Sequence, residues 1–120
     1  MSIKQVIVMR KDLNMRKGKM IAQGAHASMM FLTKALKNAR HFTHAEVEWV
    51  NGSFTKICVS VDSEQELYDI KSRAVELGVN CDLVLDNGQT EFKEPTYTCL
   101  ALGPDYSEKI DLITGRLKLL

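Results

Sequence analysis

The fold is decided by residues 3–38, IKQVIVMRKDLNMRKGKMIAQGAHASMMFLTKALKN, where a strand pattern is followed by a helix pattern. Residues 3–9 are rich in β-branched side chains, which is typical of a strand. A basic loop follows, and residues 19–38 are rich in Ala, Met and Leu, which favour a helix. The stretch therefore predicts a strand that leads through a basic loop into a long helix, as in α/β proteins.

The remaining chain continues this alternation of strands and helices. The patterns predict a short helix at 43–50, strands at 54–61, 80–85 and 97–102, and a last helix at about 105–113. Ser63 and Glu66 form a capping-box pattern at the start of a further helix, which Gly78 can end. Gly103-Pro104 is expected to break the fourth strand. The order predicts a largely parallel sheet covered by helices, with one antiparallel pair where the link between strands is short.

The composition is that of an ordinary globular protein and predicts one domain over residues 1–120, since 45% of the residues are hydrophobic and 26% are charged. No uncharged run approaches the roughly 20 residues of a membrane span, and Lys4 interrupts the N-terminal run. We therefore expect a cytoplasmic protein with no membrane partner. Cys58, Cys81 and Cys99 each lie in an apolar strand pattern, which predicts buried free thiols rather than disulfides or a metal site.

The net charge of +1 hides an uneven distribution of charged residues. Residues 1–40 contain nine Lys or Arg and one acid, whereas residues 41–120 contain seven bases and fourteen acids. Five of the bases lie between the first strand and the start of the long helix: Arg10, Lys11, Arg16, Lys17 and Lys19. Basic side chains and free N–H groups at a helix start favour phosphate, although a merely solvated basic loop would look the same. The glycines and the Lys-Ser or Lys-Thr pair of a P-loop are absent.

A polar stripe interrupts the apolar surface of the long helix. Lys19, Gln23 and His26 fall within about 60° of one another, and apolar side chains cover most of the remaining circumference. A helix that is apolar nearly all round is normally buried, so the stripe needs polar partners or a water-filled cleft. The alternative interpretation is the solvent face of an ordinary amphipathic helix.

A second polar group, Asp86-Asn-Gly-Gln-Thr90, follows the third predicted strand. Asp-Asn-Gly is a common turn. If the first and third strands are parallel, however, Arg10 and Asp86 lie at the same rim, where open α/β sheets bind ligands. A carboxylate beside Lys19 would stay ionised and could orient or deprotonate water, and an ammonium can stabilise a developing oxyanion. Thr98 on the fourth strand could add a hydroxyl.

Several blocks, taken together, resemble the type-2, archaeal and eukaryotic, peptidyl-tRNA hydrolases. They are QVIVMRKDL at 5–13, KGKMIAQGAHA at 17–27, DNGQT at 86–90, and LGP at 102–104 with TGRLKL at 114–119. The similarity extends from the first strand to the C-terminus. It implies a four-stranded mixed sheet between helix layers. The expected fold is therefore a three-layer α/β sandwich with a mixed, mostly parallel sheet flanked by helices.

The resemblance implies hydrolysis of the ester that joins a peptide, or an N-blocked aminoacyl group, to the 3′ ribose of tRNA. The family's catalytic positions correspond here to Lys19, Gln23, Asp86, Thr90 and Thr98. Contacts to the acceptor stem and CCA end of peptidyl-tRNA are expected from His26, Arg10, Lys11, Arg16 and Lys17. No metal or other cofactor is expected, and the resemblance implies that the chain can form a homodimer.

Two other functions remain open at this point. A non-catalytic RNA-binding or protein-interaction module can use the same fold, and so can a small nucleotide-binding α/β domain. The complete set of Lys19, Gln23, Asp86 and Thr90 favours the enzyme, because binding alone would need only the basic loop. The lack of a glycine-rich phosphate loop argues against the nucleotide-binding domain.

Overall fold

The computed structural model describes residues 2–89 and 91–120, and its elements follow the predicted order. In chain order they are β1 (Ile3–Arg10), α1 (Lys17–Lys37), α2 (His44–Asn51), β2 (Lys56–Val61), α3 (Glu64–Leu77), β3 (Cys81–Asp86), β4 (Thr96–Tyr106) and α4 (Ser107–Thr114). The predicted alternation of strands and helices is therefore confirmed.

The four strands form one mixed sheet in the order β2-β1-β4-β3. β1 and β2 pair in parallel, whereas β4 runs antiparallel to both β1 and β3. β1, β2 and β3 therefore point in one direction, but because β4 lies between β1 and β3, two of the three neighbouring pairs are antiparallel, one more than predicted. As predicted, Arg10 and Asp86 end their strands at the same rim of the sheet.

Helices cover both faces of the sheet, which confirms the three-layer α/β sandwich. On one face, Ile7 and Met9 of β1 join a core with residues of α1. On the other face, Val6 and Val8 join a larger core with residues of α3 and α4. The alternation of side chains along β1 thus supplies both cores.

The fourth strand is longer than predicted, because Gly103-Pro104 does not end it and β4 continues to Tyr106. Gly103 and Pro104 together stand opposite a single residue of β1, Gln5, and so form a β-bulge. A bulge tolerates proline, because the sheet does not need the missing N–H there. The φ of Gly103 is +83°, a conformation that favours glycine. The last helix begins correspondingly later than predicted and spans Ser107–Thr114.

The helix starts differ in part from the predicted capping pattern. Ser63 caps α3 as predicted, with its Oγ accepting the N–H of Glu66 at 3.2 Å. The carboxylate of Glu66, however, accepts the N–H of Asp62 at 2.6 Å, one residue earlier than the pattern predicts. A complete capping box instead begins α2, where Thr43 and Glu46 each accept the other's backbone N–H. That second box was not predicted.

One flank of α1 is exposed, contrary to the expectation that its apolar circumference is buried. The helix packs over β4, β3 and β1, and on the flank towards β2 the side chains of Ile21 and Met29 are 72% and 54% exposed. Cys58 of β2 is exposed on the same side of the molecule, whereas Cys81 and Cys99 are buried. The prediction of buried free thiols is therefore right for two cysteines and wrong for Cys58.

The C-terminal residues cover the outer edge of β2. The N–H of Ser60 donates to the carbonyl of Lys118 at 2.9 Å, and the N–H of Leu120 donates to the carbonyl of Cys58 at 3.0 Å. These bonds occupy strand groups that would otherwise be open to pairing with another chain. Within residues 2–89 and 91–120, no helix has the length and apolar character needed to cross a membrane.

Candidate active site

The candidate site is built around the first two turns of α1. Arg16 is the N-cap residue, its side chain makes no capping hydrogen bond, and the first turn contains no acid. The positive end of the helix dipole is therefore flanked by Arg16, Lys17 and Lys19, without an acid from the same helix to balance it. Such a helix start favours an anion brought by another segment or by a ligand.

Lys19 and Asp86 meet at the rim of the sheet. The ammonium Nζ of Lys19 lies 2.6 Å from Oδ1 of Asp86, and each side chain is 11% exposed. The contact forms because β3 ends at Asp86, on the same rim from which α1 starts. The backbone N–H of Gly88 donates to the other oxygen, Oδ2, at 3.0 Å. The carboxylate is thus held at both oxygens, with a small part still open to solvent.

Gln23 lies one turn after Lys19 and is almost fully buried. Its amide Nε2 donates to Oδ1 of Asp86 at 3.4 Å, while its Oε1 accepts a hydrogen bond from the Thr98 hydroxyl at 2.5 Å. Because the hydroxyl donates to Oε1, the NH2 group is turned towards the carboxylate. Thr98 has no exposed surface, so we treat it as a residue that orients Gln23 and not as one that touches substrate.

A second β-bulge in β4 directs the Thr98 side chain. Cys99 stands opposite Val84 and Tyr97 opposite Leu85, which leaves Thr98 as an extra residue in β4. In a regular strand, Thr98 would share a face with Leu100, which lies in the core beneath α3 and α4. The bulge turns the hydroxyl to the α1 face instead, and bulges beside active sites commonly re-aim a side chain in this way.

The pKa of Asp86 is lowered from its usual value of 3.8, chiefly by the hydrogen bond from Lys19. Partial burial opposes this effect, and the Gly88 N–H together with the charges of Lys19 and His26 adds to it. Asp86 is therefore ionised at neutral pH and is a weak base. Its chemistry suits holding and polarising a water molecule better than removing a proton outright.

The other predicted site residues occupy different positions. His26 is exposed on the same helix face as Gln23, close enough for its charge to act on Asp86. Lys11 and Lys17 are exposed near the start of α1. Thr90 lies outside the described residues, so its predicted role stays a prediction.

Arg10 is not brought into the site. Its guanidinium makes a two-point contact with Asp12, at 3.1 and 2.7 Å, and donates to the carbonyl of Tyr97 at 3.0 Å. It also lies 3.9 Å from Glu64 of α3, on the opposite face of the sheet from α1. The expected contact between Arg10 and tRNA stays a prediction. Among the described residues, no group of three or more His, Cys, Asp or Glu side chains is arranged to hold a metal ion.

Two residues that the sequence analysis did not single out lie against the site. The carboxylate of Glu91 is 2.7 Å from Nε of Arg16, and the Lys19 ammonium is 5.7 Å from the centre of the Phe92 ring. Both residues belong to the irregular segment between β3 and β4, where periodicity gives no signal. The nearness of this segment to the DNGQT block was the only hint in the sequence.

Comparison with known proteins gives consistent results. The model of the family described as peptidyl-tRNA hydrolase PTH2 matches residues 3–120. A peptidyl-tRNA hydrolase of Methanocaldococcus jannaschii is 46% identical over 119 residues, which are 98% of this chain and 100% of that protein. A peptidyl-tRNA hydrolase of Thermoplasma volcanium is 41% identical over the full length of both proteins. A probable peptidyl-tRNA hydrolase 2 of Dictyostelium discoideum is 44% identical over 97% of this chain and 54% of that protein.

Proposed function

The chain belongs to the peptidyl-tRNA hydrolase PTH2 family and is a peptidyl-tRNA hydrolase; from this premise we propose that its reaction takes place where Lys19 meets Asp86. The substrate is the ester between a peptide, or an N-blocked aminoacyl group, and the 3′ ribose of tRNA. The observation that carries the proposal is the 2.6 Å contact between an ammonium and a carboxylate that remain partly accessible at the start of α1. The protein acts in the cytoplasm, where translation uses tRNA.

The reaction is the attack of one water molecule on the ester carbonyl carbon. Asp86 holds this water, and the new C–O bond places negative charge on the carbonyl oxygen. The Lys19 ammonium stabilises that charge, which is the usual role of a fixed cation beside a tetrahedral intermediate. The bond to O3′ then breaks, and a proton originating from the water moves to O3′. The products are a peptide carboxylate, a tRNA with a free 3′ hydroxyl and one released proton.

The surrounding residues keep Asp86 in one orientation. Gln23 and the N–H of Gly88 bind its two oxygens, and Thr98 fixes the direction of the Gln23 amide. Preorganised groups of this kind spare the protein a reorientation during the reaction. We assign His26 and Thr90 to the contact with the acyl end and the terminal nucleotide, because their positions in the chain flank Gln23 and Asp86.

The basic residues at the start of α1 bind the phosphates of the acceptor stem and the CCA end. Arg16, Lys17 and Lys11 are exposed, and the helix dipole adds to their positive charge. Contacts to phosphate carry no sequence information, which suits an enzyme that accepts many tRNAs.

Replacing both Arg16 and Lys17 by alanine should weaken tRNA binding and flatten its dependence on salt. Each lost phosphate contact lowers the slope of log K against log salt by roughly 0.7 to 0.9, so the double variant should lose between one and two units of slope. Binding of deacylated tRNA, measured across a range of salt concentrations, tests this. A slope equal to that of the parent protein would contradict the assignment of the phosphate contacts.

The function itself is tested by the release of tRNA from an N-blocked aminoacyl-tRNA, with and without a chelator. We expect catalytic release under both conditions. A non-catalytic RNA-binding module would bind the substrate and leave the ester intact. Binding without release would therefore reject the proposed activity in favour of that alternative.

The proposal extends to a homodimer formed through a groove beside α1. This groove, which we name the α1–β2 groove, has a volume of about 640 Å³. Among the apolar residues that line it are Ile7, Met9, Met20, Ile21, Met29 and Phe54. A contiguous exposed apolar surface is typical of an interface, and a two-fold axis would let each copy cover the groove of the other. Support also comes from the family resemblance.

Measuring the molecular mass of the protein in solution tests whether it forms the dimer. We expect twice the 13.5 kDa of one chain for the parent and a single-chain mass when both Ile21 and Met29 are replaced by glutamate, because buried unpaired charges oppose association. Leu112→Glu is the matched control, since Leu112 is 64% exposed on α4, on the other face of the sheet. A monomeric parent, or a double variant that stays dimeric, would contradict this interface.

A further inference from the structure

Glu91 places a carboxylate among the cations assigned to tRNA. Its side chain is 18% exposed, whereas that of its partner Arg16 is 86% exposed. The acid is thus the more enclosed member of the pair, and the guanidinium lies largely in solvent. The hydrogen bond from the Arg16 guanidinium lowers the pKa of Glu91, and the Arg16 backbone N–H and the charge of Lys19 act in the same direction. Glu91 is therefore an anion at neutral pH.

The segment that carries Glu91 also contacts the two residues at the centre of the site. Phe92, next in the chain, places its ring 5.7 Å from the Lys19 ammonium and packs partly buried on the core beneath α1. At the other end of the segment, Gly88 donates its N–H to Asp86. Contacts at both ends therefore hold the Glu91 carboxylate close to the cations.

This position conflicts with the binding of a nucleic acid. A phosphate that approaches Arg16 and Lys19 would meet the negative charge of Glu91 at short range, and like charges at such a distance repel. A glutamate with an ordinary pKa of about 4.3 is ionised at neutral pH, so Glu91 does not relieve the repulsion by taking up a proton there. The exposed Arg16 side chain, by contrast, is free to rotate towards a phosphate and away from the acid.

We propose that Glu91 competes with tRNA phosphate for Arg16: the two side chains pair in the free enzyme, and Arg16 turns from Glu91 to a phosphate when tRNA binds. This inference rests on the proposed function, in which the start of α1 binds the CCA end. The competition weakens the binding of substrate and of product tRNA alike. Glu91 therefore acts as a positioning residue that tunes affinity, and it takes no part in the chemistry.

The test is the charge-removing variant Glu91→Gln. We expect its Kd for deacylated tRNA to fall about two- to fivefold, the range of a partly exposed charge pair, and its KM for peptidyl-tRNA to fall in parallel. The matched control is Glu94→Gln, an exposed acid on the same segment, which should change Kd much less. If Glu91 merely held the segment in place, its loss would raise KM and lower the melting temperature.

A double variant tests whether Arg16 is the cation through which Glu91 affects tRNA binding. In an Arg16→Ala background, Glu91→Gln should tighten tRNA binding clearly less than it does in the parent. The cation for which the two anions compete is then gone, and only the repulsion between Glu91 and the phosphate remains. Unchanged or weaker binding by Glu91→Gln would overturn the proposal, and so would equal tightening by Glu94→Gln or a gain of the same size without Arg16. Failure of the proposed function would appear separately, as no ester hydrolysis by the parent, because the affinity measurements use deacylated tRNA.

Discussion

Asp86→Asn is expected to lower kcat for the hydrolysis of peptidyl-tRNA by at least about 100-fold, the range found when a catalytic acid–base group or an oxyanion contact is removed. Asparagine has nearly the same size, but it has no negative charge and only one acceptor oxygen. It cannot bind Lys19, Gln23 and the N–H of Gly88 and still hold a water molecule. The measurement is single-turnover release of tRNA with the enzyme in excess.

The affinity of Asp86→Asn for deacylated tRNA separates chemistry from binding. Removing a negative charge next to the phosphate site should leave this affinity equal to, or higher than, that of the parent. A low rate combined with intact affinity and an unchanged melting temperature would assign Asp86 to the chemical step. Turnover equal to that of the parent would remove Asp86 from the mechanism altogether.

Lys19→Met is expected to lower kcat by about 100- to 1,000-fold, because the developing oxyanion loses its fixed cation. It should also change the pH dependence of the remaining activity. In the parent the pKa of Asp86 is lowered, so the carboxylate stays ionised as the pH falls below 3.8. The stability gained from the pair is complete above 3.8, decreases as the pH falls below that value, and is gone once the pH has passed the lowered pKa. Without Lys19, Asp86 loses the hydrogen bond that contributes most to lowering its pKa, whereas partial burial still raises that pKa. The acid limb of the pH–rate profile should therefore move to higher pH.

Lys17→Met is the matched control for this shift. Lys17 is an exposed lysine in the same helical turn, and it is not among the groups that lower the pKa of Asp86. Its loss should weaken tRNA binding and leave the acid limb in place. An acid limb that stays unchanged in Lys19→Met would mean that Asp86 ionisation does not control the rate.

The convergence of Lys19, Gln23 and Asp86 could be predicted from two regular features. Helical spacing places Lys19 and Gln23 on one face of α1, and the shared direction of β1 and β3 brings Asp86 to the rim where α1 begins. Both features follow from periodic patterns that each span many residues. For this reason the order of the elements and the centre of the site are visible without coordinates.

The parts that could not be predicted are irregular or depend on distant packing. Thr98 faces Gln23 only because of a bulge, and no residue type marks that bulge in the sequence. Glu91 and Phe92 reach the site through a segment without periodicity. The exposure of Ile21 and Cys58 depends on where α1 lies across the sheet, which local patterns do not reveal.

Because β4 contains an extra residue at its bulge, the site depends on the number of residues in this strand as well as on their chemical nature. If one position of β4 just before Thr98 were removed, so that the bulge closed, every amino acid named in the mechanism could be kept, yet the Thr98 hydroxyl would lie among aliphatic side chains on the far side of the sheet. The Gln23 amide would then be free to flip. Two homologues can thus have the same residue at every site position and still differ in catalytic activity. A redesign that removes the bulge from this strand would inactivate the enzyme without changing its reactive groups.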